Sequence, residues 1–205
     1  YNSTMTTTNP LVVAYGMGVD STAMLVGMHQ RGIRPDLILF ADVGSEKPET
    51  YAYLPTIQAW LASVGFPQVV VVKNPTCHGE HGDYSTIYEN CIVNETLPSL
   101  AFGYKGCSSK WKITPQNAYC NTWAPAVECW ARGGKVTKYI GYDNGPKDSK
   151  RCVDFSEDKQ YVYEYPLRGW GWDREECQRQ ILAAGLPLPV KSACFFCPST
   201  QPSEL

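Results

Sequence analysis

Several features that would assign a protein to a common class are missing from this chain. It has no excess of positive charge, because 18 Lys and Arg stand against 20 Asp and Glu. That balance argues against binding nucleic acid through a broad basic surface, although it leaves room for a local basic channel. There is no apolar run of about 18 residues, so we predict no membrane span. The polar start at residues 1–9 lacks the apolar segment of a secretion signal.

Cysteine, in contrast, is abundant. The chain has nine cysteines, and without an expected secretion signal such residues are more often free thiols, metal ligands or redox groups than disulfides. The odd number also disfavours complete pairing. We therefore expect a cytoplasmic protein whose thiols include some with a chemical role.

No linker-like or low-complexity stretch divides the 205 residues. Apolar, β-branched segments alternate with helix-like ones, which predicts an α/β fold with a single doubly wound, mostly parallel sheet and helices on both faces, Rossmann-like, over residues 11–205. Residues 1–10 are expected to lie outside it, disordered or additional to the native chain. The periodicity predicts strands at 11–15, 37–41, 68–72, 139–142 and 161–167, helices at 21–31, 48–63 and 173–184, and a loop-rich stretch at 74–83.

The segment that follows the first strand carries the strongest signal. Gly16 and Gly18 let the backbone approach an anion without a Cβ, and the helix that begins next directs its unpaired N–H groups at the same place. Ser21 and Thr22 add hydroxyl groups. No lysine precedes that pair as in a Walker loop, and the spacing of a dinucleotide-binding glycine motif is absent. An anion site is one interpretation, and a plain glycine turn is the other.

Polar residues follow two further strands. Because the carboxyl ends of parallel strands meet at one edge of a sheet, Asp20, Ser21, Asp42 and Lys73 are predicted to lie at that edge, where ligands bind in such folds. For Asp42, a contact with a nucleotide and a role as a turn or helix-capping carboxylate both stay open.

Six segments, taken together and in this order, resemble the phosphoadenylylsulfate (PAPS) reductase-like family within the PP-loop adenine nucleotide alpha-hydrolase superfamily. The resemblance covers nearly the whole chain, so we expect residues 11–205 to form a PP-loop nucleotide-binding domain with a C-terminal Cys-x-x-Cys segment. The segments are residues 16–22, 40–44, 107–115, 141–143 leading to Arg151, 165–173 and 194–198.

The resemblance implies a site for an adenylyl nucleotide: PAPS, adenylylsulfate or ATP, optionally with Mg²⁺. The loop departs from the family pattern, since Gly16 stands in place of the usual serine and Met17 in place of a glycine, and Trp111 replaces a usual arginine. The basic candidates are Lys110, Lys112, Lys147 and Arg151. The resemblance favours Lys112 and Arg151 as the residues that contact nucleotide oxygens. The implied binding residues are Gly16, Gly18, Asp20, Ser21, Thr22, Asp42, Lys112 and Arg151, and the expected catalytic residues are Cys107, Asp20 and Lys112.

A second site is implied for the thiols. Cys194 and Cys197 have a spacing that can bring two thiolates to one metal, and Cys107 matches a third ligand position of the family, followed by Ser108 where iron-sulfur members have another cysteine. Cys120 is the best candidate for a fourth ligand. We expect a 4Fe-4S cluster; a structural zinc site and plain buried thiols are the alternatives.

Three functions follow from these expectations. The first is a PAPS reductase-like enzyme that transfers or reduces sulfur with an iron-sulfur cluster and an electron or sulfur donor protein as partner. The second is ATP-dependent insertion of sulfur into a nucleobase of tRNA or DNA. The third, of another class, is a non-catalytic subunit that binds a nucleotide or metal. The sequence does not define the oligomeric state, and a homodimer is one option.

Overall fold

The centre of the fold is a five-stranded parallel sheet in the order β3-β2-β1-β6-β7. The computed structural model describes residues 8–98, 106–152 and 157–200. A separate antiparallel hairpin consists of β4 and β5. The strands are β1 (Leu11–Ala14), β2 (Leu37–Ala41), β3 (Val69–Val72), β4 (Cys77–Gly79), β5 (Gly82–Tyr84), β6 (Val136–Ile140) and β7 (Tyr161–Glu164). The predicted α/β sheet is therefore confirmed.

Helices cover both faces of this sheet. In the described ranges they are α1 (Val19–Gln30), α2 (Pro48–Ser63), α3 (Ile87–Val93), α4 (Gly106–Ser108), α5 (Thr114–Cys120), α6 (Ala124–Ala131), α7 (Pro146–Ser149), α8 (Pro166–Gly169) and α9 (Arg174–Ala183), with a π-helical turn at Ser109–Ile113. None of the helices in these ranges is both long enough and apolar enough to cross a bilayer.

Alternating side chains of the strands divide the core into two layers. Val13, Ile38 and Phe40 face the layer formed with α1, α2 and α9, whereas Val12 and Leu39 face the layer formed with α5 and α6. This period of two follows from the strand geometry, and a parallel sheet covered on both faces needs apolar residues on each.

The observed boundaries differ from the predicted ones at several elements. Strand β6 covers Val136–Ile140 instead of the predicted 139–142, and β7 ends at Glu164 instead of 167 because α8 begins at Pro166. Helix α1 begins at Val19, two residues before the predicted start, with Gly18 as its N-cap. The predicted loop at 74–83 contains most of the β4-β5 hairpin. The sequence does not indicate these strands because they lack an alternation of apolar and polar residues. The π-helical turn has no counterpart in the prediction. The glycines at 103 and 106 also predict a break in the helix-like middle of the chain. Most of this break lies outside the described residues, as do residues 1–7 and 201–205.

The end of β6 packs directly on the start of α1. A Cβ placed on Gly141 would lie 2.8 Å from both the backbone nitrogen and the Cα of Ser21. Contacts this short with backbone atoms cannot be relieved by turning a side chain. Gly141 is therefore required for the close approach that seats the glycine loop beside β6.

A methyl group at this position tests the packing. We expect Gly141→Ala to lower the free energy of unfolding by about 1–3 kcal/mol, because the added atom forces the two backbone segments apart. Urea denaturation of both proteins measures the change. Gly169→Ala is the matched control, since a Cβ there meets no atom within 4 Å; equal stability of the two variants would contradict the proposed role of Gly141.

Candidate functional site

A cleft of about 360 Å³ opens where β1, β2 and β6 end. This is the point at which the strand order reverses, because β1 lies between β2 and β6, and such crevices bind ligands in open α/β sheets. Its volume lies in the range of small-molecule sites. Polar and glycine residues of its wall include Gly16, Gly18, Asp20, Ser21, Ser108, Lys112, Gln116, Tyr142, Arg151, Arg174, Lys191 and Ser192.

The glycine loop has a defined conformation before any ligand binds. The backbone N–H of Gly16 donates to Ser21 Oγ (3.2 Å), and this hydroxyl in turn donates to the Gly18 carbonyl oxygen (3.3 Å). Met17 has φ of 58°, in the left-handed region that non-glycine residues rarely adopt. Met17, which stands where the family pattern has a glycine, thus adopts a conformation that glycine adopts more readily.

Thr22 does not reach the cleft. Its side chain is buried, and its hydroxyl forms a hydrogen bond with the Tyr15 hydroxyl at 3.0 Å. Ser21 lines the cleft, whereas Thr22 does not. The structure corrects the assignment of Thr22, which stabilises the loop from the core side.

Asp42 lies beside the cleft without lining it. Its carboxylate accepts hydrogen bonds from the Tyr51 hydroxyl (2.6 Å) and the Gly44 N–H (2.8 Å), and it pairs with Lys73 (2.9 Å). Although burial acts to raise the pKa of Asp42, these hydrogen bonds hold it below its ordinary value. Of the two roles left open by the sequence, the observed contacts are those of the turn carboxylate.

Asp20 is the acidic residue of the cleft wall. Its Oδ1 lies 3.0 Å from Arg174 Nη1, in an ion pair without hydrogen-bond geometry. Burial, opposed by Arg174 and reinforced by Asp143 and Asp148, raises the pKa of Asp20 to about 6. Ligand atoms of these three carboxylates lie within 4.8 Å of one another, and carboxylates are the usual protein ligands of Mg²⁺.

Basic side chains face the same space. Arg151 pairs with Asp148 at 3.0 Å, and its guanidinium lies 4.3 Å from the centre of the Tyr142 ring. Lys112, Arg174 and Lys191 lie on other parts of the wall. Of the other basic candidates, Lys110 packs over Tyr84 and Trp111, and the side chain of Lys147 lies outside the described residues.

Lys112 is fixed by a buried carboxylate. Its Nζ lies 2.8 Å from Glu46 Oε1, and the Glu46 side chain is fully buried. The Ser192 hydroxyl donates to the other carboxylate oxygen at 3.1 Å. Burial acts to lower the pKa of Lys112, but the charge of Glu46 outweighs it and raises the pKa. Lys112 is therefore a permanent cation of the cleft.

Three of the predicted thiols lie on the other side of this ion pair. Cys107 and Cys194 pack against a small apolar cluster built on Val43, Ile87, Cys91 and Trp111. Cys197 follows in a tight turn, in which its N–H donates to the Cys194 carbonyl oxygen at 3.0 Å. Burial and the neighbouring charge of Glu46 raise the pKa of Cys194 to about 12, so binding a metal there must displace a proton.

The Cys-x-x-Cys segment is held by backbone pairing with the loop before α2. Cys194 forms an antiparallel bridge with Glu46, and the N–H of Phe195 donates to the Ser45 carbonyl oxygen at 3.0 Å. The N–H of Lys47 donates to Ala193 at 3.1 Å. Glu46, whose carboxylate fixes Lys112, thus belongs to the same segment that pairs with the backbone of Cys194.

The spacing of these sulfurs bears on the kind of metal that they fit. The sulfurs of Cys107, Cys194 and Cys197 do not all lie within 4.8 Å of one another, whereas the sulfurs of a tetrahedral zinc site are separated by about 3.8 Å, given Zn–S bonds of about 2.3 Å. A cluster of several irons spreads its ligands further apart than a single ion does. A donor set of thiols alone is compatible with either zinc or an iron-sulfur cluster.

Cys120 does not belong to this group. It is buried in the layer on the α5 side of the sheet, with Cys129, Val136 and Tyr161, and the charge of Lys138 acts on its thiol. The structure thus corrects its assignment as the fourth ligand. Cys91, which no motif singled out, lies in the cluster that Cys107 and Cys194 contact.

The residues between Cys107 and Cys120 separate the two sites. Ser108, Lys112 and Gln116 recur every four residues and face the cleft, while Cys107 and Trp111 face the thiol cluster. We call residues 106–120 the dividing helix. Its π-helical turn contains Trp111 and Lys112. At this turn, Lys112 faces the polar cleft and Trp111 faces the apolar cluster.

Sequence comparison adds no relative: no protein-family model matches the chain, and no curated protein matches it.

Several site residues had no signal in the sequence. Arg174 and Ser192 come from distant segments that only the fold brings to the cleft, and Glu46 lies in a turn among charged residues that looks solvent-exposed. Gln116 alone had a usable signal, since it continues the spacing of four from Ser108 and Lys112.

The raised pKa of Asp20 predicts a pH-dependent cost to stability. Between the ordinary pKa of 3.8 and the folded value of about 6, the folded state holds more protons than the unfolded state, so stability from this group falls as pH rises. We expect the free energy of unfolding of Asp20→Asn, relative to that of the native protein, to rise by as much as about 3 kcal/mol between pH 4 and pH 7. Urea denaturation across this range measures the difference.

A second variant tests the cause. Because the Arg174 charge lowers the pKa of Asp20, Arg174→Gln should move the pH-dependent loss of stability to higher pH. If Asp20→Asn differs from the native protein by the same amount at every pH, the carboxylate does not titrate as described.

Proposed function

We propose that this chain is an enzyme that binds an adenylyl nucleotide in the cleft and performs sulfur reduction or transfer next to it, with an iron-sulfur cluster held by its thiols. The observation that carries the proposal is the dividing helix, which presents Lys112 to the cleft and Cys107 to the thiol cluster from adjacent turns. The family resemblance of the six segments is consistent with this function.

The cleft suits a nucleotide whose phosphate is joined to a second acidic group, either a sulfate or a further phosphate. The N-terminus of α1 offers unpaired N–H groups to a phosphate, and Lys112 and Arg151 line the same cleft. In the reductase reaction, a thiol attacks the sulfur of PAPS or adenylylsulfate, and the bond from sulfur to the nucleotide oxygen breaks. The electron pair leaves with the nucleotide phosphate, whose added charge these two cations stabilise.

The thiols that would hold the cluster are Cys107, Cys194 and Cys197, with Cys107 closest in sequence to the cleft residues. When bound, a cluster supplies electrons or an iron site for sulfur. The chain itself excludes water from this region through Trp111 and Phe196, which pack around the thiols. A separate electron or sulfur donor protein completes the reaction in either case.

A second candidate, ATP-dependent sulfur insertion into a nucleobase of tRNA or DNA, is favoured by the three carboxylates. Asp20 lines the cleft, and ligand atoms of Asp143 and Asp148 lie within 4.8 Å of its carboxylate. Mg²⁺ bound there by carboxylates and by the phosphates of ATP would assist departure of pyrophosphate. In this reaction ATP adenylylates a carbonyl oxygen, which sulfur then displaces.

Product analysis separates these functions. Protein purified without oxygen is incubated with PAPS, adenylylsulfate or ATP, each with a dithiol reductant and with or without Mg²⁺. Sulfite together with the free nucleotide supports the reductase, whereas pyrophosphate and AMP formed only with Mg²⁺ and a nucleobase acceptor support sulfur insertion. Binding without any of these products would contradict an enzymatic function and leave the non-catalytic subunit.

Arg151 provides the sharpest binding test. We expect Arg151→Gln to weaken nucleotide binding by about 10-fold to 100-fold, because it removes a charge-assisted contact to phosphate oxygens. Isothermal titration calorimetry measures the dissociation constant. Arg179→Gln is the matched control, since Arg179 also pairs with an acid three residues earlier, Glu176, yet it does not line the cleft. Equal effects of the two variants would contradict the proposed site.

A further inference from the structure

Cys91 lies where a fourth thiol would complete the cysteine site. Helix α3 begins with a capping box in which the Thr86 hydroxyl accepts from the Glu89 N–H (3.1 Å) and the Glu89 carboxylate accepts from the Thr86 N–H (3.0 Å). The side chain of Thr86 packs against Gly44, where a Cβ would come within 2.3 Å of it. These contacts fix α3 against the loop after β2 and direct Cys91 inward.

The surroundings of Cys91 are apolar and include two of the thiols that the family resemblance selects. Cys91 is 8% exposed in a cluster with Val43, Ile87 and Trp111, and Cys107 and Cys194 pack against this cluster from the dividing helix and the C-terminal segment. A buried cysteine is usually a small apolar residue, but here two further thiols pack against the same cluster.

We infer that Cys91 is the fourth thiol ligand of the metal site, with Cys107, Cys194 and Cys197. The inference rests on the proposed function, because it concerns the same cluster. It also refines that function: four thiolates occupy all the irons of a 4Fe-4S cluster, so no iron remains open to bind sulfide or substrate sulfur. The cluster then carries electrons, which favours sulfur reduction over sulfur insertion.

Metal content tests this assignment without any assay of activity. The native protein, Cys91→Ala and the control Cys120→Ala are purified without oxygen, and iron and sulfide are measured per chain before and after mild oxidation with ferricyanide. We expect the native protein and Cys120→Ala to keep their iron, whereas Cys91→Ala loses roughly one iron in four, with a 3Fe-4S signal in electron paramagnetic resonance.

Further measurements separate loss of a ligand from loss of the fold. Cys91→Ser should bind iron better than Cys91→Ala, because a serine oxygen can still coordinate, and thermal unfolding of the metal-free proteins shows whether each variant is folded. If Cys91→Ala keeps all its iron after oxidation, Cys91 is not a ligand, although the proposed cluster stands. If the native protein holds zinc without sulfide, the proposed cluster fails, and retention of zinc by the same variants decides the role of Cys91.

Discussion

An ion pair between Lys112 and the buried carboxylate of Glu46 joins the cleft wall to the segment that contains Cys194. Glu46 lies in the loop before α2, accepts a hydrogen bond from Ser192 and shares a backbone bridge with Cys194, while Lys112 belongs to the dividing helix. Loss of Lys112 would leave the buried Glu46 carboxylate without its cation, which is strongly destabilising. The pair therefore fixes the position of the cleft wall relative to the thiol segment.

The glycine loop shows how strain and packing are balanced at the same edge of the sheet. Met17 adopts a left-handed conformation, which costs a residue with a side chain about 1–2 kcal/mol. Its side chain is fully buried in the core, and burial of a methionine stabilises the folded state by a similar free energy. On the other side, Gly141 allows β6 to approach the first turn of α1. The loop is thus held from both sides before any anion binds.

Much of the fold could be predicted from the sequence, because it depends on local pattern: β2 and α2 have the predicted bounds, and α9 begins one residue after the predicted start. Of the cleft wall, the sequence indicates the glycine loop, because its residues are contiguous. The rest depends on tertiary packing, which spacing does not show. Thr22 follows Ser21 in the chain, yet its hydroxyl bonds to Tyr15 on the core side of the loop. Cys120 shares the dividing helix with Cys107, yet it packs in another layer, while Cys91, farther away in sequence, lies in the cluster that Cys107 contacts.

The central claim is that nucleotide and cluster occupy opposite faces of the dividing helix. It is tested most directly by the electron paramagnetic resonance spectrum of the reduced, anaerobic protein, recorded without and with a saturating adenylyl nucleotide. Because Lys112 lies between the two sites, the account predicts that the nucleotide alters the cluster signal, and that Arg151→Gln requires a higher nucleotide concentration for the same change. A cluster signal that stays unchanged, while equilibrium dialysis shows the nucleotide to be bound, would contradict it.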